Sequence, residues 1–482
     1  MSSENSPLLA NPEVQGLDPH EAVYNRFSAT QKRAIVALIC WTGLVPMFVS
    51  GSFVTSIPQI VKDLDSTGPV VSLAISLSIF TYAFGCLLWA TYSTFYGRRP
   101  IFLASLPLMA AGSLGVGLAR SVPELMVWRV IQALGASPGM SVGGAVIGDI
   151  YKLEERGSAM GLYFGACLLG PAIAPLTGGT FAHYASWRHM QYTLFFSALL
   201  TAVLVSLFLP ETSHPGTRGI EKALEAEGIH AVSGLAPGEV AKERRWKWYW
   251  LNPFSSLNLL RSPNLLAITI VGTTTLLTDF VLLIPMAYTI GRRYNITNEA
   301  LIGACFIPDG IGNIIGAPLS GHISDQIIKR WRKRRGGEWV PEDRLRAAVF
   351  GAMVLVPGSI LSSGLIMAYV DGIPGIVLNL VMLFANGIGV DLVLTPCASY
   401  MVDVVHSRSA EIMAANSAVR SLILSGATTL ILPSIETIGV AWTDTIAALL
   451  AWVGFGLLWC TIRYGDKMRA WVDVGYSTAQ TN

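Results

Sequence analysis

Twelve transmembrane helices in two pseudo-symmetric six-helix bundles, an all-α membrane protein, is the fold class this sequence predicts, and three observations predict it. Of 482 residues, 52% are hydrophobic and 13% charged, against ~25% charged in a soluble domain. Charge-poor stretches, each near the ~20 residues that cross a bilayer, recur twelve times along the chain. With both tails placed in the cytosol, 26 of the 33 Lys and Arg fall on that side, as the positive-inside rule asks of an even number of spans. The net charge of +2 gives no reason to expect nucleic acid.

Residues 1–31 are polar and mixed in charge, without the basic start, short apolar core and cleavage site of a signal peptide. They are expected to remain as a cytosolic tail. An N-terminal bundle over 32–212 holds spans at 34–56, 70–90, 101–119, 125–147, 159–181 and 191–209. The polar stretch 213–262 reads as a cytosolic central loop, whose basic and aromatic end, Lys242 to Trp250, suits a headgroup layer. A C-terminal bundle over 263–463 holds spans at 264–286, 300–321, 347–370, 373–397, 412–433 and 440–462, and 464–482 is a second cytosolic tail. Between the eighth and ninth spans, the basic run Lys329 to Arg335 reads as a solvated orienting loop near anionic lipid. The six cysteines all sit in apolar stretches without CxxC spacing, which argues against disulfides and zinc.

The halves repeat one plan. Gly97-Arg98-Arg99-Pro100 follows the second span, and Gly321 to Asp325 leads into Lys329-Arg330 after the eighth. Asp149 with Arg156 after the fourth span is echoed by Asp403 with Arg408 after the tenth. Repeated halves around a central cavity are how many secondary transporters are built, one half rocking against the other.

Four stretches carry a resemblance. They are Ser93 to Pro100 in the first loop, Leu125 to Gly135 in the fourth span, Gly170 to Gly179 in the fifth, and Pro210-Glu211-Thr212 closing the sixth. Over about residues 30 to 465 the chain resembles the major facilitator superfamily, and within it the twelve-helix drug:proton antiporters of fungi. The resemblance implies a major facilitator fold, alternating access driven by a proton gradient, and no cofactor or metal. Two positions depart from the pattern: Thr94 stands where the first loop motif has an acid, and Ala174 replaces one glycine of the fifth-span motif.

The fifth-span motif also has a mechanical reading. Gly165, Gly170, Gly178 and Gly179 remove side chains so that another helix can approach, and Pro171 and Pro175 permit a bend. Such a helix serves as a hinge, although small residues pack static helices equally well. Arg98 and Arg99, with Asp325 opposite, are expected to form a cytosolic latch or to act as simple anchors; Asp149 and Arg156 are expected to pair likewise. Exposed pairs contribute only about 0–1 kcal/mol each, so a latch needs a cluster.

Five charges inside spans carry the most information: Arg129, Asp279, Asp309, Asp391 and Arg420. Such residues usually face a cavity or a partner. Asp309 is placed closest to mid-membrane, where poor solvation favours the neutral acid and allows proton uptake and release. The proton-carrier candidates rank Asp309, Asp279, Asp391, with Arg129 added by the family resemblance; its alternative role is an inter-helix post using Gln132. Arg420, one turn from Asn416, is expected either to pair with Asp309 or Asp391 or to hold an anionic substrate. Gln132, Asn313, Asn416 and Tyr163 complete the substrate-binding candidates, with Trp41, Tyr82 and Phe306 as further cavity-lining aromatics. Asn295 begins a glycosylation sequon, and Leu8-Leu9 resemble a sorting signal.

The expected function is proton-coupled export of a small organic acid or secondary metabolite, an itaconate-like dicarboxylate included, by a monomer in the plasma membrane or an endomembrane such as the vacuole. A multidrug or polyamine:proton antiporter is the alternative, and a transporter-like nutrient sensor is a weaker one. Scattered histidines and the lack of a nucleophile motif give no support to an enzyme.

Overall fold

A computed structural model describes residues 24–54, 56–214, 217–226, 249–283, 286, 289–290, 293–294, 304–472 and 474–476. The Asn295 sequon, the dileucine pair and most of the central loop lie outside these. The first six long helices are α1 (Ala29–Val54), α2 (Gly68–Tyr96), α3 (Arg98–Leu118), α4 (Val122–Ile150), α5 (Leu153–Tyr184) and α6 (Trp187–Phe208). The second six are α7 (Pro263–Leu283), α8 (Ile307–Arg334), α9 (Pro341–Tyr369), α10 (Gly372–Val404), α11 (Ser409–Ile438) and α12 (Val440–Trp471). Eleven are long and apolar enough to cross a membrane.

The twelfth, α8, carries a polar edge. Asp309, Asn313, Ser320, Ser324 and Asp325 are buried against α5 and α10, while Ile311, Ile314, Ile315 and Leu319 are exposed on the other side. Its apolar stripe thus faces outward and its polar stripe inward. The helix also runs past the predicted end of the eighth span: the basic run forms its last turns rather than a loop. It stops where Gly336 and Gly337 take positive φ of 69° and 102°, with the Gly337 N–H returning to the Arg332 carbonyl at 2.9 Å, the glycine-ended cap of a helix.

Within the first bundle α1 packs on α5, and α3 on α4 and α6; within the second α7 packs on α12, and α8 and α9 on α10. Between bundles α5 meets α8, and α11 meets α2 and α4. The face on which α1 starts and α12 ends is called the terminal face below. Counted at ~1.5 Å per residue, Asp309 stands about 24 Å from Asp325 on that face and Asp391 about 18 Å from Asp403. Half of a ~30 Å hydrocarbon core is about 15 Å, so Asp391, rather than Asp309, is the acid nearest mid-membrane.

Helix α4 is broken at Ser137-Pro138. Pro138 has no N–H to offer the Leu134 carbonyl, and that oxygen accepts instead from the Trp89 indole at 2.8 Å and the Ser137 hydroxyl at 2.8 Å. The break lets the half 138–150, buried throughout, run along the bundle interface.

Candidate functional site

A cavity of about 1150 Å³, its open mouth included, lies between the bundles. Of the in-span charges, Arg129, Asp279 and Arg420 line it, as does Tyr82. Arg420 sits 11 residues into α11 from the terminal face, about 17 Å, and reaches toward α2 and α5, close to Tyr82, Cys86, Cys167 and Tyr163. It is 8% exposed and makes no hydrogen bond or ion pair among the described residues, so the expected pairing with Asp309 or Asp391 is not formed. The alternatives to a partner are water or a ligand, because a guanidinium is donor only and never neutral in proteins.

Arg129 is held differently. Its Nη1 donates to the Val49 carbonyl at 3.1 Å and to Gln132 Oε1 at 2.9 Å, and the guanidinium lies 4.2 Å from the Phe53 ring centroid, a cation–π contact. Gln132 Nε2 in turn donates to Ser113 Oγ and Gln191 Oε1, both at 2.9 Å. The Gln132 amide is therefore fully engaged and away from the cavity lining, which corrects its placement among substrate contacts.

Behind Asp279, the Asp309 carboxyl is in side-chain contact with it, and Asn313 Nδ2 donates to Asp309 Oδ2 at 3.2 Å and to the Leu168 carbonyl at 3.4 Å. Asp391 is fully buried, and neither of its oxygens has a partner among the described residues. Asp309, Asn313 and Asp391 thus form a buried group beside the cavity rather than on its wall. Asn416 is buried one turn below Arg420 and is not on the lining. Tyr163 is corrected too: its hydroxyl donates toward the Gly139 and Met140 carbonyls, 2.6 and 3.1 Å away, inside the α4–α5 contact. Trp41 is exposed and donates to Thr201. Phe306 is likewise off the lining.

Below the cavity the terminal face is closed by buried ion pairs whose partners differ from those expected. Arg98 pairs with Asp149 at 3.0 Å, and its Nη2 reaches Ser409 Oγ at 3.4 Å. Arg156 pairs with Asp403 at 2.5 Å, across the bundles, and Arg344 joins Asp403 at 2.6 Å and Asp325 at 3.2 Å. Asp325 also accepts from the Gly157 and Ser158 backbone N–H groups at 2.9 and 2.8 Å and from Ser158 Oγ at 2.7 Å. Arg99 donates outward to the Ser206 carbonyl at 2.7 Å. Thr94, at the position equivalent to Asp325, bonds back to Ala90 of its own helix at 3.2 Å.

Two parts of this closure escaped sequence reasoning. Arg344, fully buried, is turned inward by the 3-10 winding of Pro341–Ala348. Glu211 accepts from the first N–H groups of α3, Arg98 at 2.9 Å and Arg99 at 3.2 Å, an anion at a helix N-terminus. Gly97, at φ 110°, makes the α2–α3 corner, and a Cβ there would fall 2.4 Å from Glu211 Oε2.

The small residues of α5 divide. A Cβ at Gly165 would lie 2.8 Å from Ala317 Cβ of α8, and one at Gly170 would lie 2.3 Å from Met47 Cβ of α1. Gly179 faces open space, so it permits no close approach. Gly178 is buried, and Pro171 and Pro175 lie within α5. The departure at Ala174 is matched across the contact by Gly51 of α1, where a Cβ would come 2.8 Å from Ala174 Cβ.

Residues 39–428 match the family model of the Major Facilitator Superfamily. The chain belongs to this superfamily. It is 28% identical over 452 residues to the efflux pump FUBT of Fusarium oxysporum, covering 91% of this chain and 73% of that one. It is 23% identical to the MFS antiporter QDR3 of Candida albicans, covering 92% and 79%, and 25% identical over 329 residues to citrate exporter 1 of Aspergillus niger, covering 66% and 62%. Its fold is similar to that of the proton:xylose symporter XylE, with a TM-score of 0.63 at 15% identity over 90% of this chain and 97% of that one. The protein is a multi-pass membrane transporter of small molecules.

Proposed function

We propose that this transporter exports a small organic acid in exchange for protons, from the plasma membrane, with the terminal face in the cytosol. The observation that carries the reading is Arg420: a buried cation on the cavity wall without a protein partner among the described residues. An anionic ligand supplies the missing acceptor. The proton side of the exchange falls to Asp279, on the wall, and to Asp309 in contact behind it, because an unpaired carboxylate is far more expensive to bury than the neutral acid. The efflux pump, citrate exporter and antiporter among the relatives support this direction and cargo. Asp279 on the same wall favours the second reading, a multidrug or polyamine antiporter.

Untargeted mass spectrometry of medium and cell extract, with and without this gene in its host, tests the cargo. Loss of an acid from the medium with build-up in the cells is expected; loss of an amine instead selects the second reading. Coupling is tested with Asp309→Asn in proteoliposomes. Transport driven by a pH gradient should disappear while substrate exchange persists, and unchanged gradient-driven transport removes Asp309 from that role.

A further inference from the structure

We infer that the exposed face of the last turns of α8 binds the headgroup of a multiply phosphorylated phosphoinositide in the leaflet at the terminal face. The inference names a lipid partner and holds whichever cargo the cavity takes. Ile311, Ile315 and Leu319 begin a stripe of exposed positions on α8. Steps of three and four residues carry the stripe through His322 and Gln326 to Lys329, Arg330, Lys333 and Arg334, all exposed, and such steps keep to one side of a helix. One face of α8 therefore turns from apolar to polar to cationic.

The neighbouring cations are already used. Arg335 pairs with Asp343 at 2.9 Å, Arg346 pairs with the same acid at 3.1 Å and lies 4.0 Å from the Trp331 ring centroid, and Arg332 Nε donates to the Gly337 carbonyl at 3.3 Å. These contacts fasten the end of α8 to the 3-10 winding Pro341–Ala348 and leave its outer face as a fixed platform. On that face Lys329, Arg330 and Lys333 make no hydrogen bond or ion pair among the described residues, and Arg334 meets only the Trp331 ring, 5.4 Å from its centroid. Lys329 with Lys333, and Arg330 with Arg334, are like charges four residues apart, which by themselves weaken a helix. The helix dipole favours cations in the last turn only, and Lys329 and Arg330 precede it. An anion bearing several phosphates relieves this repulsion, and each arginine fork takes phosphate oxygens in pairs.

Depth selects the lipid. At ~1.5 Å per residue, His322 to Gln326 span about 6 Å, the thickness of one headgroup layer, and Lys329 stands about 10 Å beyond His322. The phosphate and carboxylate of phosphatidylserine lie within that layer. A phosphorylated inositol ring rises out of it to the level of the four cations, where polybasic segments meet such lipids.

The test is native mass spectrometry of the purified full chain in mixed micelles, titrated with phosphatidylinositol bisphosphate or with phosphatidylserine at matched total charge. The bisphosphate should bind at least about tenfold more tightly, the scale of one charge-assisted hydrogen bond. Joint replacement Lys329→Gln, Arg330→Gln, Lys333→Gln and Arg334→Gln should abolish that preference. Arg33→Gln, Arg261→Gln, Arg463→Gln and Lys467→Gln together remove as many exposed cations from the same face of the protein and should preserve it. Arg330→Lys with Arg334→Lys, which keeps charge and helix, should reduce the preference by removing the forks, and it decides the matter if the first fourfold variant proves unstable. Phosphatidylserine binding as tightly as the bisphosphate, or an equal loss in both fourfold variants, would reduce the platform to general surface charge and overturn the inference. Inositol trisphosphate competing as well as the whole lipid would assign the platform to a free phosphate compound and overturn the lipid source.

Discussion

Arg156 at the start of α5 and Asp403 at the end of α10 meet at 2.5 Å, and neither side chain has any solvent exposure. The pair joins the two bundles directly, and Asp403 is shared with Arg344 of its own bundle. Removing one partner of a buried pair costs about 3–5 kcal/mol, because the other charge stays behind uncompensated. Asp403→Asn should therefore shift the protein toward a state open at the terminal face. Spin labels at the exposed Glu155 and Gln326 should show a longer distance population in electron resonance; an unchanged distribution would remove the pair from the closure.

A pH dependence follows from an aromatic knot on the same face. The rings of His214 and His406 lie 5.2 Å apart, Tyr24 stands 5.4 Å from His214, and the Tyr24 hydroxyl is 3.4 Å from His406 Nε2. Burial lowers the pKa of His214 from its usual 6.5, opposed by Asp149 and reinforced by Arg26 and Arg156. The packed arrangement thus prefers the neutral ring. Its contribution is complete above 6.5 and is lost as pH falls from there through the lowered value, with a slope of at most about 1.4 kcal/mol per pH unit for one proton. The label distance should lengthen on acidification below 6.5 in the wild type, and His214→Gln should flatten that response. A wild type insensitive to pH would contradict the assignment.

Two glycines of α5 predict opposite outcomes. A Cβ at Gly161 would fall 2.2 Å from the Ala317 carbonyl oxygen of α8, a backbone atom that cannot swing aside, and overpacking of this kind costs about 1–3 kcal/mol. Gly161→Ala should favour separation of α5 and α8 at the terminal face and reduce transport. Gly179→Ala, in open space, should leave both transport rate and label distance near wild type. Equal effects of the two substitutions would show that helix propensity, rather than contact, governs them.

Glu211 holds the first turn of α3 and the Ser213 N–H at 3.1 Å. Glu211→Ala leaves these donors without an acceptor, at about 1–3 kcal/mol. The thermal midpoint in detergent should fall, with little change in the ligand affinity of the distant cavity. A drop in affinity at constant midpoint would instead tie Glu211 to the substrate site.

How much of this was legible differs by element. Span positions followed from apolar length because lipid demands it, and α8 was still recognisable despite Asp309, Asn313 and Asp325. Its extension to Arg334 was not, since a basic run reads alike as loop or helix until Gly336-Gly337 closes it. Arg129, Asp279 and Arg420 stood out because charge inside a span is rare. The pairings of the terminal-face charges did not: Arg156 selects Asp403 of the other bundle over Asp149, and Arg98 selects Asp149 of its own bundle over Asp325, choices that no local pattern encodes. Tyr163 and Gln132 looked like cavity residues from their helices, but the break at Pro138 and the Arg129 guanidinium use up their polar atoms.

Thr94 in place of an acid gives the closed face a densely bonded edge and a sparsely bonded one. Along α5 and α8, Asp325 fastens two backbone N–H groups, a hydroxyl and Arg344. Along α2 and α11, the equivalent position bonds only within its own helix, and Arg98 crosses to Ser409 by a single 3.4 Å contact. The seam between the bundles is therefore closely stitched along α5 and α8 and, among the described hydrogen bonds, held by one loose stitch along α2 and α11.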